Sequence, residues 1–312
     1  MLYLESIAPR NMLSFGPNTP PLELKDLNVF IGPNGSGKTN LMRILYSLCC
    51  TNSPYIKADI LKSFLRDEYV FQPSKGEYDE GAITDYRQRA GLKLLFEGME
   101  SGFSLEFHGG NCTLTKTSDL EWFPLFPKTG DSVCLLRHGS KNPLTRARLS
   151  RVQDRLLLYL KDFSRLIKPV LYGVNSPKRV KTRVIDLHIE KYISENWLWY
   201  IKVLAVLLDP EPPSVIFIDD IDAGLHLDLL PGLADLVMAA SEHSQIFITT
   251  QSSVILDAID YTDKGIESVV VFDMNDRQTE MKRLTLAVKE DPMFEKGLGD
   301  MWSRGAIGGV VW

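Results

Sequence analysis

Apolar residues recur along this chain in two periods, and the switches between them mark out its elements. Leu2 to Leu4 and Leu22 to Leu24 alternate with polar neighbours at period two, separated by the Gly-Pro-Asn-Thr-Pro-Pro stretch Gly16 to Pro21, so an antiparallel start is predicted. Leu27, Val29, Phe30 and Ile31 form a short apolar run, and Leu41, Ile44, Leu45 and Leu48 follow at helical spacing. Leu92 to Phe96 and Phe103 to Phe107 predict two strands joined by a turn through Gly98 and Gly102. Cys112 to Thr115 adds a third, giving a meander rather than a βαβ unit. Val152, Leu156, Tyr159, Leu160, Phe163, Leu166 and Ile167 share one arc of a helix. Val215 to Ile218, Gln245 to Thr250 and Val269 to Phe272 read as buried strands. The polar stretch from Thr51 to Arg89 has no period and reads as an insertion or loop. The pattern is that of an α/β chain.

Between the first buried run and its helix lies G-P-N-G-S-G-K-T, Gly32, Pro33, Asn34, Gly35, Ser36, Gly37, Lys38 and Thr39, followed by Asn40. It fits G-x-x-x-x-G-K-[ST] at every fixed position, after a strand and before a helix, which is the context a phosphate loop needs. Glycines let successive backbone N–H groups converge on a polyphosphate at the helix N-terminus. Lys38 can then reach the β and γ phosphates, and Thr39 can place its hydroxyl on Mg²⁺.

A second constellation ends the run Val215 to Ile218 on Asp219 and Asp220. Two carboxylates at the end of a buried strand call for a cation: Asp219 would orient Mg²⁺ through its water shell, and Asp220 would polarise an attacking water. Gln251 and Ser252 follow the third buried strand, at the sheet edge where open α/β folds bind ligands.

Composition narrows this reading. With 312 residues and 44% apolar content the chain can bury a large core. No apolar run approaches the roughly 18 residues that span a bilayer, and Met1 to Arg10 lacks the features of a secretion signal, so a cytoplasmic protein without membrane contact is expected. The four cysteines form no C-x-x-C pair and read as reduced and structural. The net charge of −5 argues against blanket coating of nucleic acid, yet charge is segregated. From Arg137 to Arg183, thirteen Lys and Arg face only Asp154 and Asp162. On the helical projection Arg148, Arg151, Arg155, Lys161, Arg165 and Lys168 lie opposite the apolar arc. That face is either a solvated exterior or a contact for DNA or RNA phosphates or an acidic partner; four phosphate contacts would give a log affinity–log salt slope near about −3.6.

F-I-D-D-I-D-A-G-L-H, Phe217 to His226, and I-T-T-Q-S-S, Ile248 to Ser253, resemble the Walker B, D-loop and switch segments of ABC-type ATPases of the SMC, RecF and OLD group. N-M-L-S-F before the phosphate loop resembles the opening of that group. L-G-D-M-W-S-R-G-A-I-G-G, Leu298 to Gly309, is similar to the ending of its compact stand-alone members, which lack coiled-coil arms and are often found in bacterial anti-phage systems. The resemblance covers about residues 1 to 50 and 190 to 312. It implies an ABC-type P-loop NTPase head with a parallel core sheet, an antiparallel β subdomain and a helical insertion: one ATPase domain over 1–312, with 51–190 inserted.

It further implies that two copies bind ATP head to tail, each offering its signature segment to the other's nucleotide. By position the signature is I-S-E-N-W, Ile193 to Trp197; Ser194 is kept, while Glu195 and Asn196 depart from the usual L-S-D-G or L-S-G-G. Asp220 stands where the group more often has Glu, and Gln251 where many relatives have His. Both departures point to slow hydrolysis. Gln72 and Gln88 are both candidates for the Q-loop. Asp273 and Asp276 lack the spacing of a TOPRIM metal site. The tryptophans of Gly297 to Trp312 need a surface, either the chain's own sheet edge or a partner. The functional expectation is an ATP-switched homodimer regulating a partner effector, such as a nuclease. The alternative is a RecF-like ATPase that clamps DNA.

Overall fold

The computed structural model describes residues 4–10, 12–16, 18–49, 89–96, 99–108, 111–116, 133–138, 146–160 and 194–308. Two sheets organise them. The first is antiparallel, ordered β2-β1-β4-β5-β6, from β1 (Leu4–Arg10), β2 (Leu22–Glu23), β4 (Arg89–Phe96), β5 (Met99–His108) and β6 (Asn111–Lys116). The expected pair and meander are present, but β5 begins at Met99, so Gly102 lies within the strand and not in the turn.

The second sheet runs β11-β10-β3-β9-β8-β7, from β3 (Leu27–Ile31), β7 (Val133–Arg137), β8 (Val215–Asp219), β9 (Gln245–Thr249), β10 (Val269–Asn275) and β11 (Gln278–Arg283). β10, β3, β9, β8 and β7 are mutually parallel; β11 closes one edge antiparallel to β10.

Both faces of this sheet are apolar, which is why its strands read as continuous runs. Odd and even positions go to opposite cores. Leu27, Val29, Ile31, Ile216, Ile218, Ile246, Ile248, Val269 and Val271 join one aliphatic cluster. Phe30, Phe217, Phe247 and Phe272 join the other, beneath Leu41, Ile44 and Leu45 of α1 (Lys38–Cys49). Phe217 and Phe247 stack at 5.0 Å, while Phe30 and Phe272 meet tilted at 5.1 Å. Gln245 staples the two sheets: its Nε2 donates to the Leu4 carbonyl at 2.8 Å, and its Oε1 accepts from the Leu4 N–H at 3.2 Å.

The aliphatic face is covered by α2 (Arg146–Tyr159), α3 (Glu195–Leu207), α4 (Leu230–Ala240), α5 (Ser253–Ile259) and, near the end, α7 (Leu298–Ser303); α6 (Asp263–Ser268) leads into β10. In α2, Val152 and Leu156 are buried as expected, and Leu160 just beyond it is buried too. Phe163, Leu166 and Ile167 lie outside the described residues, as do Lys161, Arg165, Lys168, Gln72 and Gln88. Arg148 does not join an exposed cationic face: it is buried, and its Nε meets Asp209 Oδ2 at 3.0 Å. Arg151 is turned to the same carboxylate at 2.9 Å. A buried Asp just past α3 draws both guanidiniums inward.

The described part of the tail packs on its own chain; Val310, Val311 and Trp312 lie outside the described residues. Leu298 and Met301 are buried, and Trp302 and Ile307 lie against the aliphatic core. Among the described residues no helix is long and apolar enough to cross a membrane.

Candidate functional site

Strand order builds the site. β9 lies between β3, which ends at the glycine-rich loop, and β8, which ends at the two aspartates. The last residues of β9 therefore meet both: the Thr250 N–H donates to the Phe30 carbonyl at 3.1 Å, and the Ile221 N–H to the Thr249 carbonyl at 3.1 Å.

The loop is shaped by its glycines and held by hydroxyls. Gly35 has φ +81°, and a Cβ there would meet nothing within 4 Å, so this part of the loop lies open to a ligand. Gly37 has φ +102°, and a Cβ there would collide with the Thr279 hydroxyl. Thr279 Oγ1 is hydrogen-bonded to the Ser36 carbonyl at 2.9 Å and to Ser14 Oγ at 2.6 Å; Asn40 Nδ2 donates to Ser14 Oγ at 2.9 Å. Ser36 Oγ is buried without a hydrogen-bond partner. Lys38 Nζ donates to the carbonyls of Gly32 and Pro33 at 2.6 and 2.8 Å. Burial lowers the Lys38 pKa, against the opposing pull of Asp220, Asp219 and Asp222.

The Asp219 carboxylate is held from three sides. Thr249 Oγ1 donates to Asp219 Oδ1 at 2.8 Å, Thr39 Oγ1 lies 3.4 Å from the same oxygen, and Arg137 Nε lies 3.2 Å from Oδ2. The Asp220 N–H donates to Thr249 Oγ1 at 2.7 Å, and Asp220 takes φ +55°. Burial, then the charges of Asp219 and Asp222, raise the Asp220 pKa, with Lys38 and Arg137 opposing. Gln251 is exposed, and its Nε2 donates to Asn34 Oδ1 at 2.7 Å, bridging the switch position to the loop.

The expected residues Gly32 to Asn40, Asp219, Asp220 and Gln251 thus share one sheet edge. Ser194 is engaged elsewhere: it caps α3, accepting from the Trp197 N–H at 3.4 Å. Glu195 falls in the first turn of that helix, where the dipole favours a carboxylate. A Cβ on Gly224 would strike the Asn196 amide, so signature and D-loop segments pack within one chain.

Chemically, the loop fits a polyphosphate: an open glycine, an orphaned buried hydroxyl and a lysine stand at one helix N-terminus. Thr39 and Asp219 present hard oxygens of the kind Mg²⁺ prefers. Thr249 and Thr279 escaped sequence reasoning. Two threonines ending a buried strand could have signalled the first; the second, on an edge strand remote in sequence, gives no signal. Arg137 was visible only as part of a basic segment.

Comparison with known proteins agrees with this geometry. A family model described as "AAA domain, putative AbiEii toxin, Type IV TA system" matches residues 27–127 and 199–257, just over half of the chain. The DNA replication and repair protein RecF of Cytophaga hutchinsonii is 29% identical over 148 residues, 45% of this chain and 34% of that protein. The chain therefore matches only about a third of that relative's length. In fold it is similar to an SMC head bound to the C-winged helix domain of ScpA, with TM-score 0.57, 16% identity, and 92% and 99% of the two chains covered. An SMC head from Pyrococcus furiosus, bound to the C-terminal domain of ScpA, superposes with TM-score 0.53 and 15% identity over 95% and 100%. On its sequence the chain belongs to the family described as AAA domain, putative AbiEii toxin, Type IV TA system, and its fold is that of an SMC head.

Proposed function

We propose that this chain is a cytoplasmic ATPase that binds ATP and Mg²⁺ between two copies of itself and hydrolyses it slowly. The closed or open dimer then holds or releases a partner effector, such as a nuclease, in bacterial anti-phage defence. The observation that carries the reading is the convergence of Lys38, Thr39, Asp219, Asp220 and Gln251 on one sheet edge beside an open glycine loop. In this reading Gly32 to Asn40 cradle the phosphates, Lys38 neutralises β- and γ-phosphate charge, Thr39 and Asp219 hold the metal, and Asp220 polarises water with Gln251 beside it. Ser194, exposed at a helix N-terminus, is free of the chain's own loop and suits contact with the nucleotide of a second copy. The whole chain acts as one ATPase domain, with 51–190 as its insertion.

Size in solution tests this. Wild type and Asp220→Ala should enlarge with ATP, and Lys38→Ala should not; a wild type of unchanged size would refute the switched dimer. Copurification from the native operon should yield a stoichiometric partner protein, whereas DNA alone would favour a repair role. The name of the Cytophaga relative raises that second role, but Arg148 and Arg151 are already held by Asp209, which counts against α2 as a phosphate-binding face.

A further inference from the structure

Resting on that reading of the site, we propose that Arg137 is a built-in counter-cation for Asp219, displaced by the divalent metal when nucleotide binds. Among the described residues β7 is an edge strand, and its parallel register sets Arg137 directly beside Asp219 on β8. The contact is therefore imposed by the ladder rather than by a wandering side chain. Asp219 Oδ1 is taken by the hydroxyls of Thr249 and Thr39, and the guanidinium lies on Oδ2.

The need for a cation follows from the crowding. Asp219 is 4% exposed at its side chain, and Asp220 and Asp222 add negative charge close by. A buried carboxylate without a counter-charge is strongly unfavourable. Arg137 also acts on Asp220, opposing the rise in its pKa. With its side chain 45% exposed, Arg137 has access to water. A metal held between Thr39 and Asp219 would bring two further positive charges to the same carboxylate, and in a poorly screened site guanidinium and metal repel.

The residue after Arg137, His138, stands edge-on to Trp199 of α3 with centroids 5.7 Å apart, and Trp199 Nε1 donates to the Ile221 carbonyl at 3.3 Å.

The test titrates Mg²⁺ against binding of a fluorescent ATP analogue to the full chain. Arg137→Ala and Arg137→Gln should lower the Mg²⁺ concentration at half-saturation about tenfold, with analogue affinity in EDTA changed less than about twofold. Arg137→Lys, which keeps the charge, should stay near wild type. Without nucleotide, Mg²⁺ should raise the unfolding temperature of Arg137→Gln but not of wild type. An unchanged or raised Mg²⁺ midpoint in Arg137→Gln overturns the proposal while leaving the nucleotide site standing. A wild type that binds no analogue at any Mg²⁺ concentration overturns both. Should Arg137→Ala not fold, the Gln and Lys variants decide the matter.

Discussion

The Thr249 hydroxyl donates to Asp219 Oδ1 at 2.8 Å, and this bond joins the ends of neighbouring strands β9 and β8 at a point water does not reach. The same hydroxyl accepts the Asp220 N–H, so one threonine fixes the Asp219 carboxylate and the backbone of Asp220, which is left-handed at φ +55°. A non-glycine residue there is strained by about 1 kcal/mol or more, and it persists only where its surroundings determine it.

Thr249→Val keeps the shape and removes the hydroxyl. It should cost about 1–3 kcal/mol, the penalty for leaving a buried acceptor and an N–H unpaired. Thr249→Ser, which keeps the oxygen, should stay within about 1 kcal/mol of wild type. Urea unfolding of the three proteins checks the order; a Val variant as stable as wild type beside a destabilised Ser variant would show that the methyl group matters and the bond does not.

Asp209 supports the fold at the other end of α3, and its support depends on pH. Burial alone would raise its pKa, but the hydrogen bond from Arg151, the Glu211 N–H, the Arg151 charge and the bond from Arg148 together lower it below the ordinary value of 3.8. A depressed carboxylate stabilises the fold fully above its unfolded pKa and loses that contribution as pH falls through the folded value. Asp209→Asn should therefore cost about 3 kcal/mol at pH 7, the scale for breaking a buried ion pair. The gap from wild type should close progressively below about pH 4. A gap that stays constant down to pH 2 would exclude the ionised pair as its source.

How much of this was legible in the sequence varies by element. The loop Gly32 to Thr39 and the pair Asp219–Asp220 announce themselves because their chemistry is local: a strand, a tight turn and a helix follow one another without a break. Likewise β8, β9 and β10 are legible because strands covered on both faces leave continuous apolar runs. The roles of Arg148, Arg151 and Arg137 were not legible. A helical wheel puts Arg148, four residues before Val152, on the side of the buried face, but it does not show that Asp209, 61 residues away, waits there. Strand order, too, is a long-range property. Nothing in the run Gln245 to Thr249 tells that it lies between β3 and β8, and that placement alone gives Thr249 its two bonds.

The basic segment yields its own expectation. With Arg148 and Arg151 held by Asp209 and Arg155 donating to the Leu208 carbonyl, these three cations of α2 serve the fold. Retention of duplex DNA by the purified chain at about 150 mM salt should be no stronger than non-specific binding, with Kd of about 10⁻⁴ M or weaker. A mobility shift whose salt slope approaches about −3.6 would restore the DNA-clamping role.

Hydrolysis itself should be slow, for reasons of reach and of proton chemistry. The Asp220 carboxylate ends one C–C bond, about 1.5 Å, short of the glutamate that the resemblance to ABC-type ATPases implies here. Gln251, in place of a histidine, is tied to Asn34 at 2.7 Å through an amide that can orient a phosphate oxygen but carries no proton. Steady-state turnover should lie at or below about 1 s⁻¹. Asp220→Asn should lower it a further 10²-fold or more, on the order of a lost general base, while leaving nucleotide binding intact. Gln251→His should raise it severalfold with little change in stability, because Gln251 is exposed. Asp220→Glu tests reach against strain: the longer carboxylate favours attack, but glutamate tolerates φ +55° less well than aspartate, so faster single-turnover hydrolysis should come with a lower unfolding temperature. If both substitutions leave the single-turnover rate unchanged, neither residue limits that rate, and the slow stage is dimer closure before the chemical step.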